Sequence, residues 1–317
     1  VLIAAFRFYL FYTRKHQRGS ILRVEKAKSS AFGVAALRAA ASFEKDPDVR
    51  NPDFMAVDLL PMKFSVIVRN HALRWLFLKV FNRRLPGGYF FHTARTRCID
   101  EILEKSIKEG LEQLVILGAG LDTRAYRFQD SLSNVKVFEV DYPDTQMVKK
   151  ERLARLSLSL PENVKHIPLD LNTQNLHKLT EQGYSSKRKT LFIWEGVCMY
   201  LRPEAVDGVL TFFREQTGPG SHIVFDYIFS SMVEGKCDYY GALESSKLAE
   251  KLGEPYVFGI EKESIRAFLE ARGLHFLSEF TPETLERDYM TRSNGRLHGR
   301  VYGYTGIVHA QTKSKDP

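Results

Sequence analysis

A chain of 317 residues, 44% of them apolar, suffices for one large domain or one domain with a helical addition, and no repeat or low-complexity tract points to a solenoid or a disordered scaffold. The net charge of +8 is unevenly placed: Arg7, Arg14, Lys15, Arg18, Arg23, Lys26 and Lys28 face Glu25 alone, a local +6 that leaves the remaining chain at +2, without a broad basic face for nucleic acid. Cys98, Cys198 and Cys237 form no CxxC pair and no Cys/His ligand spacing, so neither a disulfide framework nor a metal site is indicated and a reducing, cytoplasmic compartment fits best.

The chain opens with VLIAAFRFYLFY followed by the basic TRKHQR, and it does not begin with Met. Twelve mostly apolar residues are too few to span a bilayer. Two readings stay open: the tail end of a membrane anchor, or an amphipathic helix with Leu2, Ile3, Phe6 and Leu10 on one face. Residues 1–28 are the candidate contact for a membrane surface. Residues 29–112 read as mostly helical: SSAFGVAALRAAASFE, then KFSVIVRNHALRWLFLKVF, then a helix near 94–108, with Asp46-Pro47-Asp48 and Asn51-Pro52-Asp53 as punctuation. From Gln113 the pattern becomes strand, turn and helix in alternation. Strands are expected at 114–117, 135–140, 164–169, 190–194 and 222–227, with a last one at 301–310. Helices are expected at 143–158, 203–216, 241–252 and 261–272. This alternation predicts an α/β fold, a Rossmann-like doubly wound sheet over residues 113–317 behind an N-terminal helical cap over 1–112.

The most informative stretch is LVILGAGLDTRAYRF (114–128), where a buried strand ends in Gly118-Ala119-Gly120. Glycine there lets the backbone approach a ligand closely, although tight structural turns use it as well. Asp141 follows Gly120 by 21 residues, at the end of the next strand, where a carboxylate accepts hydrogen bonds from ribose hydroxyls or caps the helix from Pro143. Glu139 shares its face but sits deeper. A nicotinamide dehydrogenase would need a third glycine where pyrophosphate meets the helix; here that place is Thr123, beside the negative Asp122. A phosphate-free nucleoside fits better.

In order along the chain, GAGLDTRAYRF, FEVDYP (138–143) and WEGVCMYL (194–201) are similar to the leucine carboxyl methyltransferase family, and to its bacterial-type branch in particular. The likeness extends to YFFHTARTRCIDEIL upstream and GEPYVFG downstream. The resemblance implies S-adenosyl-L-methionine as cofactor. It implies that Arg95 grips the cofactor's carboxylate, with Arg97 as the alternative. It places Gly118 and Gly120 at the backbone turn, Asp141 at the ribose, Asp170 and Leu171 (in HIPLDLN) at the adenine, and Glu195 near the amino group. Tyr200 faces either substrate or a helix. Asp122 and Arg124 are expected to brace the glycine turn.

Methyl transfer from a sulfonium asks the protein for alignment and exclusion of water. A carboxylate acceptor is already ionised, whereas a hydroxyl needs a general base. The only candidate base is His92, and one histidine near a helix start is more often structural, so no catalytic residue is assigned. The expected partner is a small-molecule or peptide carboxylate, with hydroxyl or carbon methylation as the alternative and a nicotinamide oxidoreductase or noncatalytic module behind them. Trp75, Phe77, Tyr89, Phe90 and Phe91 are candidates to line an apolar substrate pocket, or simply core.

Overall fold

All five residues of β1 (Gln113–Leu117) and of β4 (Thr190–Trp194) are buried, as expected for strands covered on both faces. The computed structural model describes residues 19–156 and 161–312, with side chains from residue 30 onward. The amphipathic helix expected over the first residues lies outside this range. The other strands are β2 (Lys136–Asp141), β3 (Val164–Pro168), β5 (His222–Ile228), β6 (Leu274–Phe280) and β7 (Thr305–Thr312). They form one seven-stranded sheet in the order β3-β2-β1-β4-β5-β7-β6. β1 to β5 run parallel, and β7 inserts antiparallel between β5 and β6. This is the expected doubly wound α/β sheet.

The helices are α1 (Gly19–Ala41), α2 (Ala56–Leu59), α3 (Met62–Arg69), α4 (His71–Arg84), α5 (Gly88–Lys108), α6 (Arg124–Arg127), α7 (Pro143–Arg155), α8 (Lys178–Glu181), α9 (Pro203–Glu215), α10 (Ser230–Val233), α11 (Ala242–Leu252), α12 (Ile265–Glu270) and α13 (Pro282–Tyr289). Proline opens α7, α9 and α13 at a position whose N–H has no helical partner, and Asp144, Glu204 and Glu283 follow in the first turns, where a negative charge suits the helix dipole. In α1 the small side chains of Ala35, Ala36, Ala39, Ala40 and Ala41 are buried, which lets this helix lie close against α2, α5 and α7. It passes near the glycine turn, where Ala31 is the neighbour of Gly120.

Several boundaries differ from the sequence reading. The helix after Gly118-Ala119-Gly120 is a single turn, α6. The segment from 63 to 81 is two helices, because the Asn70 side chain caps α4 by accepting from the Leu73 N–H at 3.1 Å. The last strand starts at Thr305, and β6 was not expected at all. β6 lies at the sheet edge and buries only Leu274 fully, so its apolar signal is weak. Among the described residues, no helix is long and apolar enough to cross a membrane.

Candidate active site

Strand register brings the site together. Leu117 of β1 is level with Val140 of β2 and Trp194 of β4, and Trp194 is level with Phe225 of β5. One residue further along each chain stand Gly118, Asp141, Glu195 and Asp226. Four separated segments thus set one glycine and three carboxylates along the carboxyl edge of the sheet. The strand order reverses between β1 and β4, and such switch points open the crevice where doubly wound sheets take ligands.

Gly118 and Gly120 both have positive φ, at 66° and 42°. A side chain at 118 would also collide with Val197, so this glycine is needed by the turn itself as well as by any approaching ligand. Asp141 accepts the backbone N–H of Gly120 at 2.5 Å and that of Tyr142 at 2.6 Å. Burial nevertheless outweighs these bonds and pushes its carboxyl up to about 6. Asp170 and Leu171 lie just beyond β3 and are half-buried. Asp170 accepts the Tyr142 hydroxyl at 3.1 Å and the Asn172 N–H at 2.9 Å.

Arg95 projects from the middle of α5 into the same edge. Its guanidinium meets Asp226 at 2.6 Å and Glu195 at 3.1 Å, and Nη2 lies 3.1 Å from Nδ1 of His92. Its buried Nε has no hydrogen-bond partner among the described residues. Glu195 is shared with Arg124, 2.8 Å away, which also holds Asp122 at 2.5 Å and Asp100 at 2.7 Å. Burial would raise the Glu195 carboxyl, but Arg95 and Arg124 prevail and hold it down at about 2. Arg127 adds a contact to Asp100 at 2.8 Å and a longer one to Asp53 at 3.6 Å, while Arg38 of α1 pairs with Asp53 at 2.9 Å. The ion-pair network therefore runs from the helical front to β5, and it contains one more carboxylate than guanidinium groups.

Asp122 and Arg124, expected to brace the glycine turn, hold each other: Asp122 accepts the Arg124 backbone N–H at 2.7 Å and pairs with its side chain. Arg97 is elsewhere. Two residues along a helix turn the side chain by about 200°, and Arg97 points away to the carbonyls of Pro47 and Arg50 at 2.8 and 3.1 Å. His92 is occupied too. A guanidinium can only donate, so Nδ1 accepts from Arg95 and the ring hydrogen resides on Nε2. Burial, then the charge of Arg95, holds this imidazole well below its ordinary value, hence neutral.

Tyr200 sits on a short turn (Cys198–Tyr200) with its ring 5.6 Å from that of Tyr256. Tyr302 lies 4.8 Å from Tyr304 and 6.3 Å from His92, so phenols gather beside the Arg95 end of the site. Burial pushes all four of these hydroxyls above their ordinary range, which keeps them protonated. Of the aromatic side chains read as pocket lining or core, Tyr89 and Phe91 belong to the hydrophobic core and Phe77 and Phe90 pack against it. Trp75 is 58% exposed on α4, which has no buried residue.

Sequence reasoning missed Asp226, Asp100, Asp53 and Arg38. A signal existed for the first: an acid inside the apolar run HIVFDYI is costly unless it is paired. Among the described residues no group of three or more His, Cys, Asp or Glu side chains is placed to hold a metal ion.

A sheet whose first five strands run parallel, with a carboxylate at the end of β2, a positive-φ glycine turn after β1 and a buried arginine over β4 and β5, has the Rossmann-like architecture. The leucine carboxyl methyltransferase family model matches residues 31–214. A Bacillus subtilis (strain 168) protein named "Putative S-adenosyl-L-methionine-dependent methyltransferase YktD" is 31% identical over 69% of this chain and 72% of its own length. A Mycobacterium tuberculosis (strain ATCC 25618 / H37Rv) protein similarly named, Rv0893c, is 28% identical over 73% of this chain and 69% of its own length. The fold matches the crystal structure of a protein titled "putative methyltransferase" from Thermobifida fusca YX, with a TM-score of 0.57 at 16% identity, covering 88% of this chain and 94% of that one. The chain belongs to the leucine carboxyl methyltransferase family and, with it, to the S-adenosyl-L-methionine-dependent methyltransferases.

Proposed function

We propose that this enzyme methylates a carboxylate oxygen of a small molecule or peptide. The observation that carries the reading is the set of hydrogen bonds and ion pairs that occupies the polar side chains at the carboxyl edge. His92 has its only lone pair committed to Arg95, Glu195 and Asp226 are tied to guanidinium groups, and the nearby phenols are held protonated. None of these groups is suited to take a proton from a hydroxyl acceptor. A carboxylate acceptor needs no such help, and protonated phenols are donors able to hold it.

The cofactor supplies a methyl group on a positively charged sulfur. Four features of this chain support its binding here: the ribose-compatible carboxylate of Asp141, the glycine turn at 118–120, the half-buried Asp170 and Leu171 for adenine, and the unpartnered Nε of Arg95 for a carboxylate. The excess carboxylate of the ion-pair network favours a ligand carrying net positive charge over its neutral thioether product. Glu195, kept ionised, suits an ammonium group. Tyr200 is assigned to the acceptor side.

The test uses cell extract as the source of acceptors and cofactor labelled in the methyl group. A methyl ester releases labelled methanol in mild alkali. Label that survives alkali on oxygen, carbon or nitrogen refutes the carboxylate assignment and leaves the methyltransferase class untouched.

A further inference from the structure

We propose that α4, with the neighbouring α3, is a docking face for an anionic lipid surface. From residue 59 to residue 99 the sequence contains no Asp or Glu, while α3 and α4 carry Lys63, Arg69, Arg74, Lys79, Arg83 and Arg84. A solvated helix of an ordinary globular protein mixes both signs. Here one sign is missing from both helices, with Arg69 paired to Asp58 of the preceding α2.

The apolar content is equally unusual. α4 has no buried residue, yet it exposes Trp75 (58%), Leu76 and Val80, and α3 exposes Met62 (81%) and Val66 (56%) a turn apart. On a helical projection Trp75, Lys79, Arg83, Leu76 and Val80 fall within one half of the α4 surface, with the cations between the apolar side chains. The Lys79 ammonium lies 4.8 Å from the centre of the Trp75 ring. This is the composition of a helix that lies in a membrane interface: a tryptophan at headgroup depth, aliphatic groups below it, and long cationic side chains reaching back to lipid phosphates. A polynucleotide would match the charge but would leave Leu76, Val80, Met62 and Val66 uncovered. In the sequence its cations lie apart from the basic run at residues 1–28.

The chain's two tryptophans make the test specific. Trp194 is fully buried in β4, so a change in emission on vesicle addition reports Trp75. The protein is titrated with vesicles of phosphatidylcholine alone and with about one third phosphatidylserine, the latter also with dibrominated acyl chains. The expected result is a blue shift with the anionic vesicles only, quenched by the brominated lipid and absent in Trp75→Phe. The double variant Lys79→Glu and Arg83→Glu should lower the partition coefficient more than tenfold, since each basic residue near the surface is worth about fivefold. Its thermal shift with S-adenosylhomocysteine should match that of the parent, which shows that the fold and cofactor site are intact. The proposal is overturned by any of three outcomes: no partition to anionic vesicles, partition without quenching of Trp75, or a concentration-dependent dimer that Trp75→Ala dissolves.

Discussion

Lowering the pH should weaken cofactor binding through Asp141, and the structure sets both the sign and the size. Burial raises this carboxyl to about 6 in the free protein, against its ordinary value of 3.8. Hydrogen bonds from ribose hydroxyls require the ionised form, so the complex holds the proton less tightly than the free enzyme does. Between pH 7 and pH 5 the ionised fraction falls about tenfold, and affinity for S-adenosylhomocysteine should fall by the same factor. The contribution of Asp141 to folding runs the other way. A folded-state pKa above the unfolded one gives stability that is full below about pH 4 and is lost as the pH rises through about 6, by at most about 3 kcal/mol and by less where water reaches the carboxyl. Calorimetry from pH 5 to 8 measures the first effect, and thermal melts of free protein measure the second. Asp141→Asn should bind about ten- to a hundredfold more weakly at pH 7, because a hydrogen bond to a charged acceptor is worth about 1.5–3 kcal/mol, and should lose the pH dependence. An affinity that stays flat from pH 7 to pH 5 in the parent protein would remove Asp141 from the ribose site.

Further outcomes follow from the ion pairs and the glycine turn. Asp226→Asn leaves the buried Arg95 with a weaker partner and should cost about 3–5 kcal/mol, a fall of about 5–10 °C in Tm by calorimetry; an unchanged Tm would mean that Arg95 is not held as described. Arg95→Ala should abolish measurable S-adenosylhomocysteine binding, whereas Arg97→Ala should leave its Kd within about twofold, because Arg97 serves the 47–50 loop and the Tyr289 ring rather than the carboxyl edge. The opposite pattern in isothermal titration would exchange their roles. Gly118→Ala should destabilise by about 3 kcal/mol or more through strain and the collision with Val197, and Val197→Ala in the same chain should recover part of the loss; no recovery would locate the cost in φ alone.

The order of the five strands from 113 to 228, and of the two long helices among them, was legible in the sequence because each buried strand is a short apolar run bounded by polar turns; the short α8 was not. The glycine and carboxylate motifs, together with the resemblance, identified Gly118, Gly120, Asp141, Asp170 and Glu195 as candidates whatever the rest of the chain does. Pairing is another matter. The sequence left Arg95 and Arg97 open, and only the rotation of α5 over the sheet sends one to Glu195 and Asp226 and the other to the 47–50 loop. It left His92 open as a base, and only the approach of Arg95 commits its lone pair. Asp226 stands 131 residues from the arginine it holds, a distance that no local pattern spans. Trp75 reads as core by its type, yet its helix finds no layer to bury it. Local chemistry decides which segments become strands and which residues can bind. Register and helix rotation, set by long-range packing, decide which charges meet and which apolar side chains remain in water.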